Sequence, residues 1–306
     1  MNELIDRIKN DKFFTNHKLC YLTLGGSYAY GTNIESSDID IRGFYLDNQE
    51  ELFTNYEYDK EFTLENEDVV LYSFKKLCKL LTNCNPNVIE LLGTKDYLYI
   101  NDLGKKLIDN RNIFLSKKAY FTFIGYATSQ LRRLENAISG NKPEHLFDSL
   151  NMSLKNLQYD EEIYKGLTIS SNDNEIYANI HIDNIQFSKL ISDLHQFSTT
   201  FKNFNRINHR NRKKDDNHLY KHAMHLIRLY YMGIDILRGE INTYREKEHD
   251  LLMNIRQGKL SLEEIMNIKS KLDKQIKQAY NDSILPDKPD FNKINQLMIE
   301  ILKEGI

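Results

Sequence analysis

Gly25-Gly26-Ser27-Tyr28-Ala29-Tyr30-Gly31-Thr32-Asn33-Ile34-Glu35-Ser36-Ser37-Asp38-Ile39-Asp40-Ile41-Arg42-Gly43 is the stretch that decides the fold of this chain. It is Gly-rich, so the commoner phosphate loops are the first test. A Walker loop needs Lys after its last Gly, where Thr32 stands, and a dinucleotide fingerprint needs Gly-x-Gly-x-x-Gly, whereas Gly25 and Gly26 are adjacent. Both alternatives fail. What remains is Gly-Ser on a strand-to-helix turn, ten intervening residues, and Asp-x-Asp.

Upstream, Lys18-Leu19-Cys20-Tyr21-Leu22-Thr23-Leu24 is an apolar, β-prone run that stops at the two glycines and predicts a buried strand. Downstream, Asp38 to Leu46 alternates polar and apolar residues, which predicts a second strand containing both acids. Residues i and i+2 of a strand project to the same side at a rise of roughly 3.3 Å per residue. Asp38 and Asp40 are therefore expected to set their carboxylates together, with Arg42 continuing the same face. Two adjacent carboxylates repel unless they are protonated or share a cation. Hard oxygen ligands of this kind suit Mg²⁺, which takes a few carboxylates plus substrate phosphates. The turn at Gly26-Ser27 offers backbone N–H groups, and the serine hydroxyl, to a phosphate held by that metal.

Further out, residues 47–66 are acidic and turn-rich, Val69-Val70-Leu71-Tyr72 predicts a third strand, and 74–81 has helical spacing. Asn85-Pro86-Asn87 is expected to end the helix 74–82 and begin the next. The first residues, Met1 to Lys9, suggest a short amphipathic helix. From about residue 113 the periodicity becomes helical over 116–139, 144–165, 185–202, 217–238, 261–281 and 290–303. Residues 167–169 and 176–182 suggest a β-hairpin between them. The expected class is α+β, with a mixed sheet and flanking helices over residues 1–112, and a mostly helical C-terminal domain with a hairpin over 113–306.

Composition narrows the function. The chain has 306 residues, with 41 Lys and Arg against 44 Asp and Glu and a net charge of −3, which excludes a broadly basic nucleic-acid binder. A local basic stretch at 206–214, with Arg206, His209, Arg210, Arg212, Lys213 and Lys214, is the candidate track for an RNA phosphate backbone. Cys20, Cys78 and Cys84 are odd in number and form no Cys-x-x-Cys pair, against a disulfide framework or a cysteine-rich zinc site. His218, His222 and His225 have helical spacing, but no His-Glu-x-x-His pattern accompanies them. No run approaches the roughly 18 apolar residues of a membrane helix, and the N-terminus lacks the pattern of a signal peptide. A cytoplasmic protein is expected.

On the helix 217–238, Lys221, His225 and Arg228 fall at i, i+4 and i+7, a cationic stripe on an otherwise apolar helix.

The Gly-Ser and Asp-x-Asp signature resembles that of the nucleotidyltransferases of the DNA polymerase beta superfamily. It is most similar to the branch known as predicted nucleotidyltransferases, which includes RNA-repair-associated members. The resemblance rests on Ser27 to Thr32 with Ser37 to Gly43, Asn85 to Leu92, Gly125-Tyr126 with Gln130, Lys221 to Leu229, and Ser283 to Pro286. It implies Mg²⁺-dependent transfer of a nucleoside monophosphate from a nucleoside triphosphate such as ATP to an acceptor hydroxyl, an RNA end among the acceptors, with release of pyrophosphate. It implies two Mg²⁺ ions, replaceable by Mn²⁺, on Asp38, Asp40 and a third carboxylate from a later strand. Glu65, Glu67 and Asp68 all precede residues 69–72. Asp68 is taken because the branch tends to place Asp just before a Val/Ile-Val-x-Tyr strand, with Glu67 as the alternative. Gly26, Ser27 and Arg42, and the stripe of Lys221, His225 and Arg228 on a helical domain closing the cleft, are the expected nucleotide-binding residues. The same chemistry on a protein or small-molecule acceptor, or a non-catalytic nucleotide-binding or toxin-partner protein, stays open beside it.

Overall fold

The computed structural model describes residues 2–54, 61–138, 168–172, 175–179 and 216–305. The helices expected at 144–165 and 185–202 and the basic stretch 206–214 lie outside the described residues. The fold is α+β. Its chain divides into two compact units, one comprising Met1–Ala127, Leu226–Ile255 and Lys259–Ile306, the other Thr128–His225 and Arg256–Gly258. The last third of the chain thus returns to the unit that holds the sheet, which the single boundary expected near residue 112 does not capture.

Five strands, β1 (Lys18–Leu24), β2 (Ile41–Leu46), β3 (Glu61–Thr63), β4 (Val69–Ser73) and β5 (Tyr97–Ile100), form one sheet in the order β3-β4-β2-β1-β5. β2 and β4 are parallel, and the other neighbours are antiparallel. Both faces are covered. On one, Leu22, Ile41, Tyr45, Val69 and Leu71 pack with Ile8 of α1 (Asn2–Lys9) and with Phe13 and Phe14. On the other, Phe44 meets Tyr21 and Phe74, and Leu46 lies against Gly305 at the end of the helix Phe291–Gly305.

Local sequence explains the elements around the sheet. α2 (Gly26–Tyr30) follows β1 directly, and Gly31 ends it in the left-handed conformation with φ 71°. α4 (Phe74–Thr82) begins at Ser73, whose hydroxyl accepts from the Lys76 N–H, and buries Phe74, Leu77, Cys78 and Leu81 along one stripe. Asn85 accepts from the Asn87 N–H with Pro86 at the first helical position, the stop and restart that the sequence predicts. The long helices at Lys118–Ile138, Asp216–Leu237, Leu262–Asp282 and Phe291–Gly305 fall where the periodicity sets them. The hairpin is present as β6 (Thr168–Asn172) and β7 (Glu175–Asn179).

Two expectations change. β2 begins at Ile41, so Asp38 and Asp40 precede the strand. The ladder with β1 ends at the pair Leu24 and Ile41. Residues 34–37 instead close a turn, the Ser37 N–H donating to the Ile34 carbonyl and the Ile34 N–H to the Ser37 hydroxyl. The segment 47–66 is also more regular than its turn-rich composition suggests. It holds β3 and α3 (Gln49–Phe53), the latter started by a reciprocal cap between Asn48 and Glu51. Among the described residues no helix is long and apolar enough to cross a membrane.

Candidate active site

The strand pairing builds the site. The Gly25 N–H donates to the Asp40 carbonyl at 2.8 Å, and the Ile41 N–H donates to the Asp68 carbonyl at 2.9 Å. Because β2 and β4 run parallel with Ile41 opposite Val69, Asp40 and Asp68 stand side by side, each the last residue before its strand. Arg42 joins them. Its Nη2 lies 3.0 Å from Asp40 Oδ1 and 2.7 Å from Asp68 Oδ1. Its Nη1 donates to the carbonyls of Asp68 at 2.8 Å and Ile41 at 3.0 Å. One guanidinium therefore holds two carboxylates and two backbone oxygens, a use of the planar fork that lysine could not copy.

The paired glycines make room for this cluster. A Cβ on Gly26, whose φ is +53°, would fall 1.9 Å from Asp40 Oδ2, and one on Gly25 would fall 2.7 Å from Arg42 Cγ. The adjacency that excludes a dinucleotide fingerprint thus has a steric cause, an acid and a base packed against the turn. Ser27 is buried, and its carbonyl accepts from the Thr32 N–H.

The other acids are placed differently. Asp38 and Glu65 are exposed, as Asp68 is too, but neither is among the carboxylates that Arg42 holds, and Glu67 pairs with Arg7 at 2.9 Å. The three-carboxylate set expected from the sequence is not gathered. Among the described residues no group of three or more His, Cys, Asp or Glu could hold a metal ion. Asp40 and Asp68 nevertheless suit a divalent cation in two respects: their donors are hard oxygens, and both already converge on a single cationic atom, Nη2 of Arg42.

Comparison with known proteins then fixes the family. The family described as the RNA repair pathway DNA polymerase beta family matches residues 1–154. The chain belongs to that family. No curated protein and no solved structure matches it. The match to the RNA repair polymerase beta family contains the Gly-Gly-Ser turn, Asp38, Asp40, Arg42 and Asp68. It ends before the remaining segments of the sheet-bearing unit, at 226–255 and 259–306.

One of those later segments supplies a residue whose position differs from expectation. Arg228, expected in the nucleotide-binding stripe, is instead buried against an acid. It is 4% exposed and pairs through Nη1 with Glu90 Oε2 at 3.2 Å, while its guanidinium lies 3.6 Å from the centre of the Tyr30 ring. The Tyr30 hydroxyl donates to the other Glu90 oxygen at 2.8 Å. Nε of Arg228 is buried without a hydrogen-bond partner. Burial pushes the Glu90 carboxyl above its ordinary range, with Arg228 opposing the shift, and burial likewise raises the Tyr30 phenol. Arg228 is a framework cation beneath α2, because an arginine on an apolar helix stripe is stable inside only with an acid against it. The signal in the sequence was Glu90 itself, a lone acid within Val88-Ile89-Glu90-Leu91-Leu92. Lys221 is exposed and His225 half-buried, and both are counted with the second unit.

A groove of about 850 Å³ lined by Lys9, His17, Lys18, Asp47 and Tyr99 lies at the start of β1 and the end of β2. Asp40 and Arg42 sit at the opposite ends of those strands, so the groove and the carboxylates are separate features.

Proposed function

We propose that the protein is a Mg²⁺-dependent nucleotidyltransferase that moves a nucleoside monophosphate from a nucleoside triphosphate to the hydroxyl of an RNA end. The observation that carries this is the convergence of the Asp40 and Asp68 carboxylates on one cationic point beside the Gly-Gly-Ser turn. Membership of an RNA repair polymerase beta family supports the acceptor class.

In the reaction the acceptor oxygen attacks the α-phosphorus, the bond to the bridging oxygen of the β-phosphate breaks, and pyrophosphate leaves with the electron pair. The acceptor proton passes to a carboxylate or to water. A bound divalent ion would supply charge neutralisation on the triphosphate and a lowered pKa for the acceptor hydroxyl. Asp40 and Asp68 are the residues that would hold it, with Asp38, exposed two positions upstream, as the remaining acid of the set. Gly26, packed against Asp40, and the adjoining Ser27 would orient the phosphates. Most of the rate enhancement is then positioning and electrostatic stabilisation.

The test is incubation with each α-phosphate-labelled nucleoside triphosphate and Mg²⁺, with and without total RNA. Label should appear in RNA, and Asp40→Asn should abolish it without loss of the folded circular dichroism spectrum. Label that appears on the protein or on a small molecule instead would move the acceptor to that class. Transfer retained in Asp40→Asn would refute the site.

A further inference from the structure

Arg42 occupies the point at which the two carboxylates converge. Its Nη2 is within hydrogen-bond distance of both Oδ1 atoms, so it occupies the point between the two carboxylates where a divalent ion bridging those oxygens would sit. We propose that Arg42 is a built-in counter-cation: a metal ion binds Asp40 and Asp68 only by displacing its guanidinium, and that displacement frees the guanidinium for the triphosphate. This rests on the nucleotidyltransferase reading in taking the two acids as metal ligands.

Three observations support it. A Mg²⁺ ion sits at about 2.0–2.1 Å from its oxygens, whereas a guanidinium nitrogen at 2.7 and 3.0 Å from the same two oxygens fills the same space with the same sign of charge. The Arg42 stem is built in, since Gly25 has no Cβ where one would stand 2.7 Å from Arg42 Cγ. The guanidinium also has a hold of its own, because Nη1 donates to the Asp68 and Ile41 carbonyls. It can therefore leave the carboxylates in part while its stem stays in β2.

The measurement is Mn²⁺ binding without nucleotide, followed by the loss of the free-ion paramagnetic resonance signal, in the wild type, Arg42→Gln and Arg42→Lys. Loss of the competing charge should tighten Mn²⁺ binding about tenfold in Arg42→Gln, from a single close charge pair discounted for partial exposure. Arg42→Lys, which keeps the charge without the fork, should fall between, and it carries the test if Arg42→Gln does not fold. In parallel, the ¹⁵N-labelled Arg42 side-chain resonance of the wild type should shift on addition of Mg²⁺. Equal or weaker Mn²⁺ binding in the folded variants, no binding in any of the proteins, or an unmoved Arg42 resonance overturns the proposal. Tighter Mn²⁺ binding in Arg42→Gln alongside a wild type that transfers no nucleotide would remove the enzymatic reading and leave the counter-cation standing. Active transfer with unchanged Mn²⁺ affinity would do the reverse.

Discussion

Arg228→Met should be one of the costliest single substitutions in the sheet-bearing unit. The side chains of Arg228 and Glu90 are only 5% and 10% exposed, and the pair is closed at 3.2 Å. Methionine fills much of the arginine stem's volume but strips Glu90 of its counter-ion and Tyr30 of the cation over its ring. Breaking a buried pair from one side costs about 3–5 kcal/mol. Glu90 can escape part of this by taking a proton, since burial already pushes its carboxyl upward, so a loss of about 3–4 kcal/mol is expected. Glu90→Gln keeps an acceptor for the Tyr30 hydroxyl but leaves a buried guanidinium that cannot shed its charge, so it should cost at least as much, about 3–5 kcal/mol. The double variant should recover about 1–3 kcal/mol relative to the sum of the singles. The sign of the pH response follows from the raised carboxyl. Between the ordinary value of 4.5 and the folded one, the native state binds more protons than the unfolded chain, so the stability of Arg228→Met should fall as pH rises through that window. Urea unfolding followed by circular dichroism at several pH values measures all three variants. A loss below about 1 kcal/mol for Arg228→Met, or strict additivity in the double variant, would mean that the pair is not the buried linkage described.

Gly26→Ala should cost about 1–2 kcal/mol from its left-handed backbone alone, and the new methyl, 1.9 Å from Asp40 Oδ2, should drive that carboxylate out of place. Nucleotide transfer should therefore fall further than stability does, and near-normal transfer would contradict the packing. Cys20 and Tyr21 are both buried, and burial pushes their pKa values up to about 11 and about 12 from 9.0 and 10.0. Their protonated forms stabilise the folded state fully below about pH 9, and that contribution is lost as pH rises through 11 and 12. Thermal midpoints measured from pH 8 to 11 should decline beyond 9, and a flat profile would count against it. Asn85→Ala removes the acceptor for the Asn87 N–H and should lower the urea midpoint by the equivalent of about 1 kcal/mol.

Much of this architecture is legible in the sequence, for reasons that can be named. β1, α4 and the long helices carry their own periodicity and stop signals, as at Ser73 and at Asn85-Pro86. β3, β5 and α3 are too short for periodicity to separate them from loops, and β3 exists because β4 offers it a partner. The acids could be identified as a motif, but their arrangement depends on the parallel pairing of β2 with β4, a non-local choice. Alternation extended β2 back to Asp38, whereas the ladder stops at Ile41 because β1 ends at Leu24. Arg42 was readable as part of the acidic face, but its grip on both Asp40 and Asp68 was not. Arg228 misled for a related reason: its sequence neighbours show an apolar helix, and its partner, Glu90, lies 138 positions away.

The helix Phe291–Gly305 meets the N-terminal part of the sheet-bearing unit at several points. Lys18 donates to the Gly305 carbonyl across 287 positions of chain, Leu46 lies against Gly305, and Lys106 meets Glu304. During synthesis at about 5–20 residues per second, the Gly-Gly-Ser turn and the acids emerge long before this helix does. A nascent chain carrying only the first 154 residues, the stretch that the family match spans, still lacks the helix that covers Leu46. The stretch that the family match spans is therefore not the whole of the unit that folds. Translation must run to Gly305 before the sheet is sealed, and a fragment cut at the end of the family match should behave as an unfinished intermediate with an open apolar face.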